Sequence, residues 1–407
     1  IFNHIQTALQ TGSIVAVKGI GGYLLLCDAC NENAIQHLRR RKQRSAKPFA
    51  LLYENTSMAE KDVNINKEEK KLLESKVAPI VLCLVKKKPS AGIITDAIAP
   101  GLDKIGLMLP CSPLLQLIST AFGKPLVATS ANLSGSPIIY KDNDALEKLP
   151  GMADIILSYD RELMVPEDDS VMQVNATGAN IILRRSRGLS PNYYPMPFTN
   201  VNECMLAMGA DLKSAFALQN RNALYVSQYL GNQESIESQQ AYAHTFSHIM
   251  ALLQVTPTLL LADKHPAYFA TQFARELSMN YNLPLIEIQH HKAHFAAVLA
   301  ENKLLDANIP VLGIIWDGTG LGDDNQVWGG ECMIFENNDI QRVAHLDYFP
   351  QLLADKMSRE PRLSALSLLT YVPGKLSILK QHFSAPEWTF YQQLISQPAS
   401  LLCSSMG

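Results

Sequence analysis

Short apolar runs alternate with longer stretches of helical period along this chain. IVAVKGI (14–20), IVLCLV (80–85) and PLVATSAN (125–132) are rich in β-branched residues and predict strands. ENAIQHLRRRKQR (32–44) and DNDALEKLPGM (142–152) predict helices. Residues 205–228 and 310–335 each read as strand, turn and strand, with helical patterns between them. Two such hairpins separated by helices predict a duplicated α/β domain. IQHHKAHFAAVLAE, from residue 288, predicts a further helix built mostly of good helix formers. One stretch breaks the alternation. SPNYYPMPFTNVNE (190–203) carries Pro191, Pro195 and Pro197 among polar residues and reads as a linker. It divides the chain into 1–190 and 204–407, with the linker at 191–203.

A length of 407 residues fits two or three domains, each able to bury a core. The net charge of −3 gives no global attraction to nucleic acid or membrane. No apolar run reaches transmembrane length, and residues 1–20 lack a signal-peptide pattern. The seven cysteines are odd in number and scattered, which fits reduced thiols and a cytoplasmic location. Cys27 and Cys30 form a lone CxxC. Without a second pair they read as small residues near a strand end.

Residues 39–47, RRRKQRSAK, place six cations in nine positions. Alone, this run reads as a solvated helix end. KGIGGY (18–23) sets Lys18 and three glycines after a strand, where backbone can approach a phosphate closely. It has neither the Walker nor the dinucleotide spacing. TSANLSG (129–135) offers hydroxyls and an amide at a strand end, and LRRSRG (183–188) is a second arginine cluster. Each is weak alone, but all four suit phosphate.

His290 and His294 are four apart and share one face of the predicted helix, so both imidazoles can reach one metal ion. A polar helix face with ordinary surface histidines is the competing reading. The zinc-protease pattern is excluded, because His291 stands where that chemistry needs a glutamate. A third ligand, expected to be a carboxylate, must come from elsewhere.

KGIGGYLLLCDA, LRRRKQRSAKPFALL, ATSANLSGSPI, DDSV and RRSRG, in this order over about residues 1–190, resemble the YrdC-like nucleotide-binding domain in the variant found in HypF. HypF is the carbamoyltransferase family of nickel–iron hydrogenase maturation. The resemblance implies an open, twisted α/β domain with a basic concave face that binds ATP and forms an acyl-adenylate. It implies that Lys42 and Arg44 meet phosphates and that Ser130 and Asn132 line the nucleotide pocket. Arg184 and Arg187 would belong to the closing arginine motif, and Lys18 would lie at the carbamoyl group or its phosphate. Cations suit this chemistry, because the leaving pyrophosphate gains charge that Mg²⁺ alone seldom neutralises.

MGADLKSAFAL, ADKHPAYFAT, IQHHKAHFAAVLAE, DGTGLGDDNQVWGGE and SREP follow in the same family's order. This half resembles the metal-binding domain of the tRNA threonylcarbamoyl-transferase family, built on the duplicated actin-and-Hsp70-like ATPase fold. There the paired histidines bind iron or zinc. The resemblance supplies Asp317, at the head of DGTG, as the third ligand beside His290 and His294 for Zn²⁺ or Fe²⁺. Gly318, Thr319 and Gly320 would present turn amides to phosphate, while Asp263 and His265 would form a structural DxHP turn. His291 would sit beside the ligands or at the surface.

This chain departs from the family at SQYLGN (Tyr229, Asn232), PLLQLI (113–118), ADK (354–356) and EPRL (360–363). It begins at the YrdC-like domain, without an acylphosphatase domain or zinc fingers. It stops at SSMG, before a segment expected to hold a further carboxylate ligand. The expected activity joins carbamoyl, from carbamoyl phosphate, to AMP using ATP, and passes it to the C-terminal Cys thiolate of HypE. The alternatives are an O-carbamoyltransferase for a small molecule, and a non-catalytic relative that binds RNA or a partner through residues 39–47.

Overall fold

The structure, a computed structural model, describes residues 1–133, 135–195, 203–221, 223–372, 374–397 and 401–405. These form two compact units of α/β class, as the alternation of patterns predicts.

The first unit takes residues 1–195 and 203–258. Its main sheet is built from β1 (Val15–Lys18), β2 (Tyr23–Asp28), β3 (Ala50–Leu52), β4 (Val63–Asn64) and β5 (Ile80–Val85). It continues with β6 (Lys104–Met108), β7 (Leu126–Ser130), β8 (Ile155–Leu157), β9 (Val171–Val174) and β10 (Asn180–Arg184). The strand order is β10-β9-β5-β6-β3-β7-β2-β1-β8, with β4 beside β5. All six residues of β2 are buried, because the sheet is covered on both faces. Tyr23, Leu25 and Cys27 enter one apolar cluster, while Leu24 and Leu26 enter the other.

Local signals set the helices. Asn31 caps helix Glu32–Arg41 by accepting the Ala34 N–H, and Arg39–Arg41 end it, where cations complement the helix dipole. Helix Pro113–Phe122 starts on the Ser112 cap and stops at left-handed Gly123.

Strands β11 (Tyr193–Pro195), β12 (Cys204–Ala207), β13 (Ala217–Asn220) and β14 (Ala223–Val226) also belong to this unit and pair antiparallel in the order β11-β14-β13-β12. The compact units therefore do not divide at the expected linker, of which residues 196–202 lie outside the described residues. The Tyr229 N–H donates to Arg185 O at 2.8 Å, and Gln228 Nε2 donates to Pro166 O at 3.2 Å. The Arg185 guanidinium reaches the Val226 and Ser227 carbonyls. Strand β11 lies inside the expected linker, so proline content there neither stops regular structure nor says which strands the segment meets.

In the second unit, β15 (Leu259–Asp263) and β16 (Leu285–Ile288) pair in parallel across helix Phe269–Tyr281, and helix His290–Glu301 follows directly. Then come β17 (Val311–Leu321), β18 (Val327–Glu336), β19 (Asp339–His345), β20 (Phe349–Pro350) and β21 (Leu402–Cys403). Strand β18 lies antiparallel between β17 and β19. Phe295 and Leu299 of the helix meet Ile315, Trp328, Met333 and Phe335 of the sheet.

The expected turn at DGTG is instead part of β17. The pairing slips between Trp316 and Gly320, and Gly320 then pairs with Trp328. The chain reverses at 322–326, where the Gly322 N–H donates to Gln326 O at 2.8 Å and Asn325 is left-handed. Asp-Gly favours a turn only where pairing ends, and here the ladder resumes beyond it. Among the described residues, no helix is long and apolar enough to cross a membrane.

Candidate functional site

Two of the six cations in 39–47, Arg39 and Lys42, are buried, while Arg40 and Lys47 are exposed. Arg39 is buried and donates to the carbonyls of Ala97, Ile98, Arg44 and Lys47. Arg41 pairs with Asp154 at 2.7 Å. A phosphate-binding surface for RNA needs its cations free, and these two are engaged within the fold.

Lys42 is also buried. Its Nζ donates to Ser130 O at 2.5 Å, Asn132 O at 2.6 Å and Asn132 Oδ1 at 3.0 Å. Burial, and then Arg44, pull its pKa down to about 7. Three oxygens, one for each N–H, favour the ammonium form against that pull. Ser130 Oγ donates to Asn132 Oδ1 at 2.8 Å, and Asn132 Nδ2 reaches Ser136 O at 2.5 Å. Lys42 thus fixes the loop after β7 on which Ser130 and Asn132 stand.

Arg44 donates to Lys47 O and Pro48 O and approaches Thr129 Oγ1. Burial, and then Arg39 and Arg184, lower it to about 10. Arg184 lies 3.5 Å from Asp168 and 5.6 Å from the Tyr229 ring. The structure thereby groups Lys42, Arg44, Ser130, Asn132 and Arg184.

Two expected members stand apart. Arg187 is buried, bonded to Asp169 at 2.8 Å and to the carbonyls of Val77 and Ala78, so its guanidinium braces a loop. Lys18 is buried in a separate network with Asp142 Oδ2 at 2.8 Å and Tyr159 O at 3.1 Å. Tyr23 donates to the same Asp142 at 2.7 Å. Burial pushes the Cys27 thiol up, and the Cys30 thiol up to about 11, as suits packing residues.

In the second unit, His290, His294 and Asp317 present ligand atoms within 4.8 Å of one another. His290 Nε2 lies 3.2 Å from both His294 Nε2 and Asp317 Oδ2. His290 Nδ1 lies 2.6 Å from Asp263 Oδ2, at the end of β15. Neutral His290 therefore keeps its proton on Nδ1 and leaves the Nε2 lone pair facing the other two groups. Asp317 Oδ1 accepts the Gly318 N–H at 2.7 Å, while buried Asp317 Oδ2 accepts no well-aligned hydrogen bond. Two imidazole lone pairs and an unmatched carboxylate oxygen facing one point fit a divalent cation.

Without a cation the two carboxylates instead favour protonated His290, whose Nε2 proton a bound metal would displace. Burial works to lower His290, but Asp263 and then Asp317 overcome it and raise its pKa to about 9. Burial, and then the charge of His290, hold His294 below the usual range. Burial would raise Asp317, but His290 and the Gly318 N–H outweigh it and bring its carboxyl below the usual range. His291 is fully buried, and burial followed by His290 brings it down to about 4.

Gly318 engages its N–H with Asp317, and Thr319 is exposed. Gly320 matters for its missing side chain: a Cβ there would lie 2.5 Å from His291 Cε1 and 2.9 Å from His290 Cδ2. Sequence reading assigned Asp263 only the DxHP turn, in which its Oδ1 accepts the His265 N–H at 2.8 Å. Asp263 ends β15 and His290 follows the end of β16, so the parallel pairing of these two strands, which brings the two residues together, was the signal that could have found its second contact.

Three family profiles match the chain. The Sua5/YciO/YrdC family, described as telomere recombination, matches residues 7–186. The HypF Kae1-like domain matches 200–301, and the carbamoyltransferase Kae1-like domain, second subdomain, matches 313–407. Carbamoyltransferase HypF of Synechocystis sp. is 41% identical over 361 residues, covering 89% of this chain and 46% of its own length. Carbamoyltransferase HypF2 of Cupriavidus necator is 37% identical over 418 residues, covering 98% of this chain and 51% of its own. The crystal structure of full-length HypF in its phosphate- and nucleotide-bound form matches with a TM-score of 0.91 at 34% identity, covering 100% of this chain and 52% of that one. The chain spans about half the length of the curated relatives it matches. With a Sua5/YrdC domain joined to both Kae1-like subdomains, and likeness to HypF proteins along nearly all its length, the chain belongs to the HypF family.

Proposed function

We propose that this chain carries out ATP-dependent carbamoyl transfer in the maturation of nickel–iron hydrogenases. The supporting observation is its 37–41% identity, over 89–98% of its length, to proteins named carbamoyltransferase HypF. Carbamate, formed with release of inorganic phosphate when water cleaves carbamoyl phosphate, attacks the α-phosphate of Mg²⁺-bound ATP. A carbamoyl–phosphate mixed-anhydride bond forms between the carbamate oxygen and the α-phosphorus, the bond from that phosphorus to the oxygen bridging to the β-phosphate breaks, and pyrophosphate leaves. Arg44 and Arg184 face the charge that develops on pyrophosphate, and Lys42 holds Ser130 and Asn132 against the nucleotide. The thiolate of the C-terminal Cys of HypE then attacks the carbamoyl carbon. A C–S bond forms, the C–O bond to AMP breaks, and AMP leaves.

His290, His294 and Asp317 would hold a Zn²⁺ or Fe²⁺, which when bound would supply Lewis acidity. Asp263 orients His290 for that role. The test uses the whole chain with ATP, Mg²⁺ and either carbamoyl phosphate or carbamate. Pyrophosphate release is expected, with carbamoyl appearing on a peptide ending in the HypE cysteine. Turnover with threonine and bicarbonate, and none with carbamoyl donors, would overturn the reading in favour of tRNA modification. Carbamoyl transfer to small-molecule hydroxyls but not to the cysteine peptide would assign the other acceptor.

A further inference from the structure

Gln289 caps helix His290–Glu301, and its contacts settle the state of a neighbour. Its Oε1 accepts the Lys292 N–H at 2.9 Å, which fixes which end of the amide is which. Nε2 therefore carries the two donors. One N–H goes to Leu321 O at 3.0 Å, and the other points at His291 Nδ1, also at 3.0 Å. A donor there requires Nδ1 to accept, so the ring proton of His291 sits on Nε2.

His291 is 0% exposed, with its ring 5.9 Å from that of Trp328. Its Nε2 is buried with no hydrogen-bond partner among the described residues, and Asp317 Oδ2 is in the same condition. The two atoms lie 3.6 Å apart. One is a donor and the other an acceptor with two lone pairs.

We propose that His291 is a positioning residue of the metal centre, its Nε2–H holding Asp317 Oδ2 so that the carboxylate's other lone pair faces His290 and His294. The proposal rests on the metal reading above. Asp317 is then held at both oxygens, by the Gly318 N–H on Oδ1 and by His291 on Oδ2. Groups that orient a ligand from behind contribute to affinity without touching the ion.

The whole chain, stripped of metal, is titrated with Co²⁺, reading the visible absorption bands, with a chelating indicator for affinity. His291→Phe keeps a flat ring beside Trp328 and removes the N–H. His291→Gln can return an amide N–H near the same place. His291→Phe should bind Co²⁺ about 10–100-fold more weakly, with shifted bands, and His291→Gln should recover most of both. Wild-type affinity and bands in His291→Phe would overturn the proposal. No Co²⁺ binding by the wild-type chain would overturn the metal reading and this proposal with it. Should the Phe variant not fold, ring ¹⁵N shifts of His291 in the metal-free wild type decide: a proton on Nε2 is required, and one on Nδ1 overturns the proposal.

Discussion

Asp263 Oδ2 lies 2.6 Å from His290 Nδ1, while Asp263 Oδ1 accepts the His265 N–H. One carboxylate thus ties a turn to an imidazole of helix His290–Glu301. Asp263→Asn should keep a polar group at the turn but remove the charge behind His290. Metal affinity should fall by about tenfold or more. Chelator competition on the metal-loaded chain measures it, and wild-type affinity would show that Asp263 serves the turn alone.

Lys42→Met retains most of the buried stem and removes all three donors to Ser130 and Asn132. Loss of an aimed electrostatic contact should cost roughly 2–4 kcal/mol in kcat/KM for ATP. Pyrophosphate release at subsaturating ATP reads this directly. An unchanged rate would leave Lys42 as a packing residue.

Glu167 gives a pH dependence with a definite sign. Burial, partly opposed by Arg187, raises its pKa from 4.5 to about 7. Below pH 4.5 the carboxyl is protonated both folded and unfolded. Between 4.5 and 7 the unfolded chain ionises first, so stability falls as pH rises; above 7 the loss is complete. The full loss is at most about 3 kcal/mol. Denaturant midpoints of wild type and Glu167→Gln, compared from pH 4 to 8, should diverge across this window in favour of the variant. Parallel curves would count against the buried acid.

Gly318 and Gly320 are two residues apart and should respond oppositely to alanine. A Cβ at Gly318 meets nothing within 4 Å, whereas one at Gly320 falls 2.5 Å from His291 Cε1. Gly320→Ala should cost roughly 1–3 kcal/mol of stability and weaken metal binding, while Gly318→Ala should change either little. Thermal unfolding of the two single variants, with and without Co²⁺, separates them.

Much of this arrangement was legible beforehand. Short β-branched runs located β1, β5 and β7, and the spacing of His290 and His294 placed both on one helical turn. Ligand type and family order supplied Asp317. What stayed hidden were the acceptors that particular side chains meet. RRRKQRSAK shows six cations, but not that Arg39 and Lys42 end on backbone carbonyls. Asp-Gly looks like a turn until the partner strand is known to continue past it. The tautomer of His291 depends on a glutamine amide whose direction is set by helix capping, a chain of three contacts without any trace in composition or period.

The contact between Arg185 and the Val226 and Ser227 carbonyls bears on where this protein can be cut. A fragment ending at residue 190 would retain Lys42, Arg44, Ser130, Asn132 and Arg184 but leave the Arg185 guanidinium without those acceptors. It would also lose the backbone rung from Tyr229 to Arg185. The compact unit that contains these bonds runs to residue 258, well past the point at residue 186 where the first family profile ends. The family match and the compact unit therefore have different ends here.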